Sequence, residues 1–515
     1  MSLRVVLPQG RPFGRRVFST VTAAVDSKPA EWLAARPFEE IPGPKKLPII
    51  GTKYMFLPGL RKYDFSDLTE THREIRKDYG DIVRFSGLEP RRDMVMIYNA
   101  DDVETVFRNE GIWPERPSLR CLKYFREVVK KDFFKGVGGI LNDQGETWHK
   151  SRTLVNPVMM QPKTAKQYAA GIDQVAEDFI AKIPGFRDSK SEMPDDFKNE
   201  LHKWALESIA VIALDTRLGC LDPDLKADSV PQRMIEAIHQ LFHDMHILEV
   251  KSIVWTMIST PTFKRFLKNA SLLLDISYKY IIEAVERSKI KKGDEGPSSV
   301  LEKFLERDPD PTRAIVMALD MLFAGVDTTS HALTNVLLHL SENKDKQELL
   351  YQEIRKFLPE VNTPITYEML NDMKYLQACI KESMRIQPVA QGNARTTHQE
   401  IVLSGYRVPK NVDVILAHGL LSLSEKYYPQ PKKFIPERWI RGGEQAEKMH
   451  PFVTLPFGHG ARKCVGMRFA KMELEMMLAK MIRRYHWDYK YGPMRYETTL
   501  ITGPTDPLKF AVTDR

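Results

Sequence analysis

Helical periodicity dominates the middle of this chain, whereas strand-like alternation is confined to short runs near its two ends. The strand-like runs are Ile82–Ser86, Met94–Tyr98, Glu400–Leu403, Tyr406–Val408, Asp413–Ala417 and Lys509–Thr513. Arg313–Ser341 reads as one long helix. Its apolar residues, among them Ile315, Val316, Leu319, Leu322, Phe323, Leu333, Val336 and Leu337, lie on more than one face, so it belongs inside the body. At 1.5 Å per residue it spans roughly 40 Å, the width of a whole domain. Tyr367–Ile386 and Met467–Tyr485 read as further helices. The charged stretch Arg287–Glu295 reads as a solvated loop. Residues 37–51 carry too many prolines for a helix. No repeat, low-complexity tract or second linker follows residue 60. The expected fold is mainly α with small β-sheets, as one domain over residues 31–515 behind a leader of residues 1–30.

Composition adds what the pattern leaves open. The 515 residues are 43% hydrophobic, which is globular. Against 68 acidic residues stand 76 basic ones, a formal charge of +8. That excess is dispersed, and no basic stripe interleaves with aromatics, so nucleic acid is not an expected partner. It suits docking of an acidic protein. Cys121, Cys220, Cys379 and Cys464 are too widely spaced for a disulfide framework, which points to a reducing compartment. No run reaches the eighteen or so apolar residues that cross a bilayer. The leader holds Arg4, Arg11, Arg15 and Arg16 and no acid before Asp26, the composition of a mitochondrial transit peptide. Arg16-Val17-Phe18 before Ser19 marks an expected cut after Phe18.

The densest chemical signal is Phe457-Gly458-His459-Gly460-Ala461-Arg462-Lys463-Cys464-Val465-Gly466. A lone cysteine is ordinarily an inert packing residue; this one is bracketed by glycines, follows an arginine and precedes a helix. A thiolate that binds haem iron needs a tight turn aiming N–H groups at the sulfur, a nearby cation and a helix N-terminus. Gly460 and Gly466 are expected to permit the turn, Phe457 to shield the sulfur, and Arg462 to reach a haem propionate. The centre of the long helix, Ala324-Gly325-Val326-Asp327-Thr328-Thr329, places small residues, an acid and alcohols where a buried helix has no packing use for them. Ala324 and Gly325 would let a flat macrocycle lie against the backbone. Thr328 can donate to the Ala324 carbonyl, and Asp327 with Thr328 would relay protons. Trp148 and Arg152, one helical turn apart, both donate to carboxylates. Glu382 and Arg385 share a helix face at i, i+3, and Arg438 follows in Phe434-Ile435-Pro436-Glu437-Arg438-Trp439.

The pattern Phe-x-x-Gly-x-Arg-x-Cys-x-Gly closely resembles the cysteine-ligand loop of cytochromes P450, and with the other motifs the likeness covers residues 37–515. It implies the P450 fold and a haem b whose iron Cys464 ligates. Trp148, Arg152, Arg395 and Arg462 would hold the propionates, and Ala324 would lie against the ring. Glu382, Arg385 and Arg438 would form a buried structural triad. The implied reaction is R–H + O2 + 2e− + 2H+ → R–OH + H2O on a lipophilic small molecule, a xenobiotic such as an insecticide or a steroid-like compound. Two alternatives stand beside it: a dedicated ecdysteroid or steroid hydroxylase, and a haem-binding sensor without turnover. The leader, the donor face and Ala213–Gly219 look like the animal mitochondrial clan, arthropod members in particular. That implies a [2Fe–2S] ferredoxin with its NADPH reductase, docking at Lys381 and Arg468 with Lys471, Arg483 and Arg484 further along. It also implies the matrix side of the mitochondrion and peripheral association with the inner membrane. The match is partial, with Gln377, Met467 and Lys471 where that clan mostly has lysine, arginine and glutamate. Substrate-lining residues are expected from Trp113–Phe134, Met321, Phe323, Val389–Gln391, Leu500 and Ile501.

Overall fold

The computed structural model describes residues 30–515 except 49, 57, 58, 60, 61, 88–90, 118, 252, 253, 291–297, 309 and 444–448. The arginine-rich leader therefore lies outside the described residues, and so does most of the charged stretch after Ile290.

The long helix runs Pro311–Glu342 and is the axis of the body. Asp310 starts it by accepting from the Thr312 N–H at 3.0 Å, and Pro311 sits where a missing N–H costs nothing. Nearly every side chain from Ala314 to Ser341 is buried, which explains the apolar residues on more than one face. Helices Phe197–Leu214, Lys374–Ile386 and Met467–Arg484 pack directly on it. A second apolar cluster lies beside this helical core, under a four-stranded sheet. The strands run in the order Ile82–Phe85, Met94–Ile97, Asp413–Leu416 and Asn393–Thr396. The middle pair is parallel, with Val95 opposite Val414, and the outer pairs are antiparallel. Among the described residues, three two-stranded pairs complete the sheets.

Several boundaries differ from expectation. Tyr367–Ile386 is two helices, Tyr367–Asp372 and Lys374–Ile386, broken at Met373. Gln377 Nε2 bridges the break by donating to the Leu370 carbonyl at 2.7 Å. The helix after the cysteine ends at Arg484, because Tyr485 starts a strand paired with Ala511–Asp514. Helix Pro261–Ile290 runs through Arg287, so the start of the predicted loop is helical. The strands Asn393–Thr396, Tyr485–Asp488, Tyr496–Thr499 and Ile501–Pro504 were not expected. Each is four residues long, and what makes it a strand is its partner. Among the described residues no helix is long and apolar enough to cross a membrane.

Candidate active site

In the cysteine loop Gly458 and Gly460 take φ of 69° and 71°, the region that glycine enters without steric cost. A Cβ on Gly460 would also lie 2.1 Å from Glu110 Oε1. Gly466, expected to share that task, has an ordinary φ of −81° and caps helix Met467–Arg484 instead. The Cys464 N–H donates to the Phe457 carbonyl at 2.9 Å, closing the loop. Cys464 is accessible whereas the other three cysteines are buried. Burial pushes the thiol up from its ordinary value. The N–H groups of Gly466 and Met467 and the cations Arg152 and Lys463 pull it back only in part. A ligated metal cation would complete the deprotonation.

Above this loop several guanidinium groups converge with little counter-charge. Arg462 donates from Nε to the Pro114 carbonyl at 2.8 Å and from Nη2 to Gln144 Oε1 at 2.7 Å, and it lies 4.1 Å over the buried Trp148 ring. Its Nη1 is buried without a partner, as is Arg152 Nε. Arg152 spends Nη2 on the Lys463 carbonyl at 2.6 Å, holding the loop. Arg395 is paired with Glu110 at 2.5 Å and donates to the His459 carbonyl at 3.1 Å. Burial, then repulsion by Arg116, Arg395 and Arg152, holds Arg462 down to about 9. Arg116 is held down to about 10 by burial and its arginine neighbours. Such a cluster is costly unless an anion is seated in it. A haem with two propionates fits that demand, and the orphaned nitrogens are the donors that would meet it.

Along the buried long helix, Ala324, Gly325 and Thr328 are the partly open positions between Met321 and Ser330. Ala324 and Thr328, four apart, share one face, and Thr328 Oγ1 donates to the Ala324 carbonyl at 2.6 Å. Gly325 answers to a different neighbour than expected. A Cβ there would stand 2.7 Å from Ile209 Cγ1 on helix Phe197–Leu214, so its smallness serves helix packing. Asp327 is 1% exposed and faces the imidazoles of His202 and His239. Met321 and Phe323, expected to line the substrate, are buried and apolar, and Phe323 stacks on Phe242 with centroids 4.7 Å apart. Leu500 sits at a hairpin tip in left-handed conformation, tied to the Val389 carbonyl through Thr502 N–H at 2.7 Å. The Arg126–Asp320 pair, 2.5 Å and fully buried, clamps the 113–134 segment to the long helix.

Glu382, Arg385 and Arg438 come together in the interior. On the opposite side of the cysteine loop, Lys381 is exposed, and Lys381, Lys463 and Arg468 all lie close enough to Lys471 to repel it. Arg468 also donates to the Met160 carbonyl at 2.6 Å. Lys471 Nζ stands 5.7 Å over the Phe457 ring. The acid among them, Glu475, is pushed up to about 7 by burial, so it offsets little of that charge. Arg483 and Arg484 do not join this face. Arg483 donates to the Leu358 and Pro359 carbonyls at 2.7 and 2.6 Å, and Arg484 binds Glu177 and Asn362.

Sequence reasoning missed Arg116 and Glu110, which no local motif announces. It also missed Trp439, whose indole donates to Glu382 at 2.9 Å. Glu473 was missed too: burial pushes it up to about 8, against an opposing hydrogen bond with Thr329. Its signal was available, an acid between Met472 and Leu474 on an apolar helix.

A helical body carrying a glycine-held cysteine loop and a buried Asp-Thr step has the parts of a haem-thiolate protein. A family model described as Cytochrome P450 matches residues 41–512. The chain belongs to the cytochrome P450 family, and it is a monooxygenase with a cysteine-ligated haem b. It is 40% identical over 514 residues to "Cytochrome P450 CYP12A2" of Musca domestica, covering 96% of this chain and 94% of that one. "Probable cytochrome P450 301a1, mitochondrial" of Drosophila melanogaster is 38% identical over 488 residues, 94% of this chain and 88% of that one. "Probable cytochrome P450 12a5, mitochondrial" of the same fly is 40% identical over 509 residues, 96% and 94%. The solved cytochrome P450DA heme domain shares the fold, with a TM-score of 0.72 at 19% identity over 93% of this chain and 98% of that chain.

Proposed function

We propose that this P450 works in the mitochondrion, hydroxylating or dealkylating a lipophilic small molecule with electrons from a [2Fe–2S] ferredoxin and its NADPH reductase. Bound haem supplies the oxygen-activating chemistry. Cys464 would ligate its iron, with Phe457 shielding the sulfur. Arg462, Arg152, Trp148 and Arg116 would hold the propionates, with Arg395, which is tied to Glu110 and to the His459 carbonyl, beside them. Ala324 would leave room for the macrocycle. Thr328 holds a proton at Oγ1, and Asp327 would pass protons to it. The apolar residues Met321, Phe323, Val389 and Leu500 exclude water and accept a lipophile.

The observation that carries the donor assignment is the cationic set Lys381, Lys463, Lys471 and Arg468 gathered beside the cysteine loop. Such a face steers an acidic ferredoxin to the thiolate side of the haem. The mitochondrial names of two of the fly relatives support the compartment. Exposed Tyr124, Val128, Met257 and Ile258, near the Tyr124–Trp255 contact, support peripheral association with a membrane surface. The test is reconstitution of purified enzyme with a ferredoxin and its reductase, against the microsomal flavoprotein reductase, after a spectral binding screen of steroids and insecticide-like compounds. Turnover that runs only with the flavoprotein would end the donor assignment. Binding without any product would favour a sensor.

A further inference from the structure

Each turnover consumes two protons, yet the acid of the acid–alcohol pair is sealed from solvent. Asp327 turns towards helices Phe197–Leu214 and Val230–His246. Its Oδ2 lies 3.6 Å from His239 Nδ1, and its Oδ1 lies 3.7 Å from His202 Nε2. His331, one turn further along the long helix, has its ring centroid 5.9 Å from that of His202. A Cβ on Gly503 would meet the His331 ring at 2.3 Å, so glycine there leaves room for the imidazole. His202 and His331 are buried, whereas the His239 side chain is 56% exposed. Three imidazoles thus surround one carboxylate, and one of them reaches water.

The inner members are under-satisfied. Asp327 Oδ1, His202 Nε2 and both ring nitrogens of His331 are buried without hydrogen-bond partners, which is uncommon for native polar groups. A small ring rotation or one water would connect each of them. The other charged groups facing the cluster are Lys198, which donates to the Pro504 carbonyl at 2.9 Å, and Glu497. Burial holds His202 down to about 4 and His331 to about 3, so both are neutral at pH 7. Burial alone would push Asp327 up. The His239 imidazole facing Oδ2 is the largest influence opposing burial, and the carboxyl lies below its ordinary range.

We propose that His239 is the proton-entry group for Asp327. Water protonates Nε2, the Nδ1 proton passes to Asp327 Oδ2, and exchange of tautomers returns the ring to its starting state. Two such transfers balance the two protons of the reaction, and the electrons arrive separately through the haem. His239 acts through Asp327 and is a positioning residue, not a catalytic one. The proposal rests on the reading of Asp327 and Thr328 as the proton-delivering pair.

The test uses purified holoenzyme of the parent, His239→Gln, Asp327→Asn, the double variant and His243→Gln, a control one turn along the same helix. Reduced enzyme with one further equivalent of a one-electron reductant is mixed with oxygenated buffer, so that both electrons of the reaction are present, and the return of the ferric Soret band is followed by stopped flow from about pH 6 to pH 8 in H2O and D2O. No substrate or ferredoxin is needed. His239→Gln is expected to slow the return on the order of tenfold, flatten its pH dependence and enlarge the solvent isotope effect, with His243→Gln at parental values. Asp327→Asn is expected to slow it at least as much, and adding His239→Gln to it should change nothing further. Diethyl pyrocarbonate read by peptide mass should label His239 and leave His202 and His331 unlabelled. Parental rates and pH profile in His239→Gln would overturn the proposal. So would equal slowing by His239→Gln with and without Asp327, or an unlabelled His239. If Asp327→Asn is itself parental, the reading of the pair fails, and the entry route fails with it.

Discussion

Glu382→Ala should abolish haem retention, and the structure shows why one carboxylate matters so much. Glu382 accepts from Arg385 Nε and Nη2 at 2.8 Å, from Ile435 N–H at 3.0 Å, from Trp439 Nε1 at 2.9 Å and from Arg438 Nε at 3.3 Å. Both Glu382 and Arg385 are fully buried. Removing one partner of such a pair costs about 3–5 kcal/mol. Leaving the Ile435 and Trp439 donors unsatisfied adds roughly 1–3 kcal/mol each. Arg385 keeps the Ser422 and Pro431 carbonyls at 2.8 and 2.7 Å, which places the loss in the lower half of the summed range, about 5–8 kcal/mol. A protein of ordinary stability holds only about 5–15 kcal/mol in total. The damage falls on the segment leading to the cysteine loop, because Ile435 and Trp439 lie there. The assay is the reduced carbon monoxide difference band per milligram of expressed protein, with thermal unfolding by circular dichroism. Glu382→Gln, which keeps the shape but not the charge, should fall between parent and alanine. A Glu382→Ala protein with the parental band and an unchanged melting temperature would refute the reasoning.

Charge reversal on the donor face, Lys381→Glu or Lys463→Glu, should raise the KM for ferredoxin several-fold at low salt. It should leave the carbon monoxide band intact, and high salt should shrink the difference. Arg483→Glu should instead lower the melting temperature, since Arg483 ties down the Leu358 and Pro359 carbonyls. Glu473→Gln should stabilise the protein increasingly as pH rises from about 5 to 8. The raised folded value means that the parent is unpenalised below the ordinary carboxylate range and loses stability as the pH climbs towards about 8. The limiting gain is on the order of 3–5 kcal/mol, read as the melting-temperature difference between variant and parent across pH; a constant difference would contradict it. Gly325→Ala should cost about 1–3 kcal/mol through its clash with Ile209, and Ile209→Ala should recover part of that loss in thermal unfolding. No recovery would mean that the glycine serves the cleft after all.

Much of the site was legible where the chemistry is local. The cysteine loop, the Thr328 bond to Ala324 and the pairing of Glu382 with Arg385 all lie within ten residues of chain, so spacing alone brings the groups together. Assignments failed where a distant neighbour sets the demand. Gly458, not Gly466, takes the left-handed turn with Gly460, and Gly460 is further confined by Glu110. Gly325 answers to Ile209. Arg483 and Arg484 look like free cations in the sequence, but the chain from Leu358 to Asn362 and Glu177 take them up. The short strands were missed for the same reason, since a four-residue run has no alternation to speak of until a partner pairs with it.

The amino-acid sequence by itself determined the helical body, the long buried axis, the haem-thiolate loop and the acid–alcohol step, because each is written in residues that are close along the chain. The tertiary structure decided which charges are buried and who faces them. It set Arg116 among the guanidinium groups above the loop, gathered five donors on Glu382, and brought His202 and His239 from two other helices to Asp327. The physical reason is desolvation. The cost of burying a charge depends on every neighbour within a few ångströms, and those neighbours lie tens to hundreds of residues apart in the sequence.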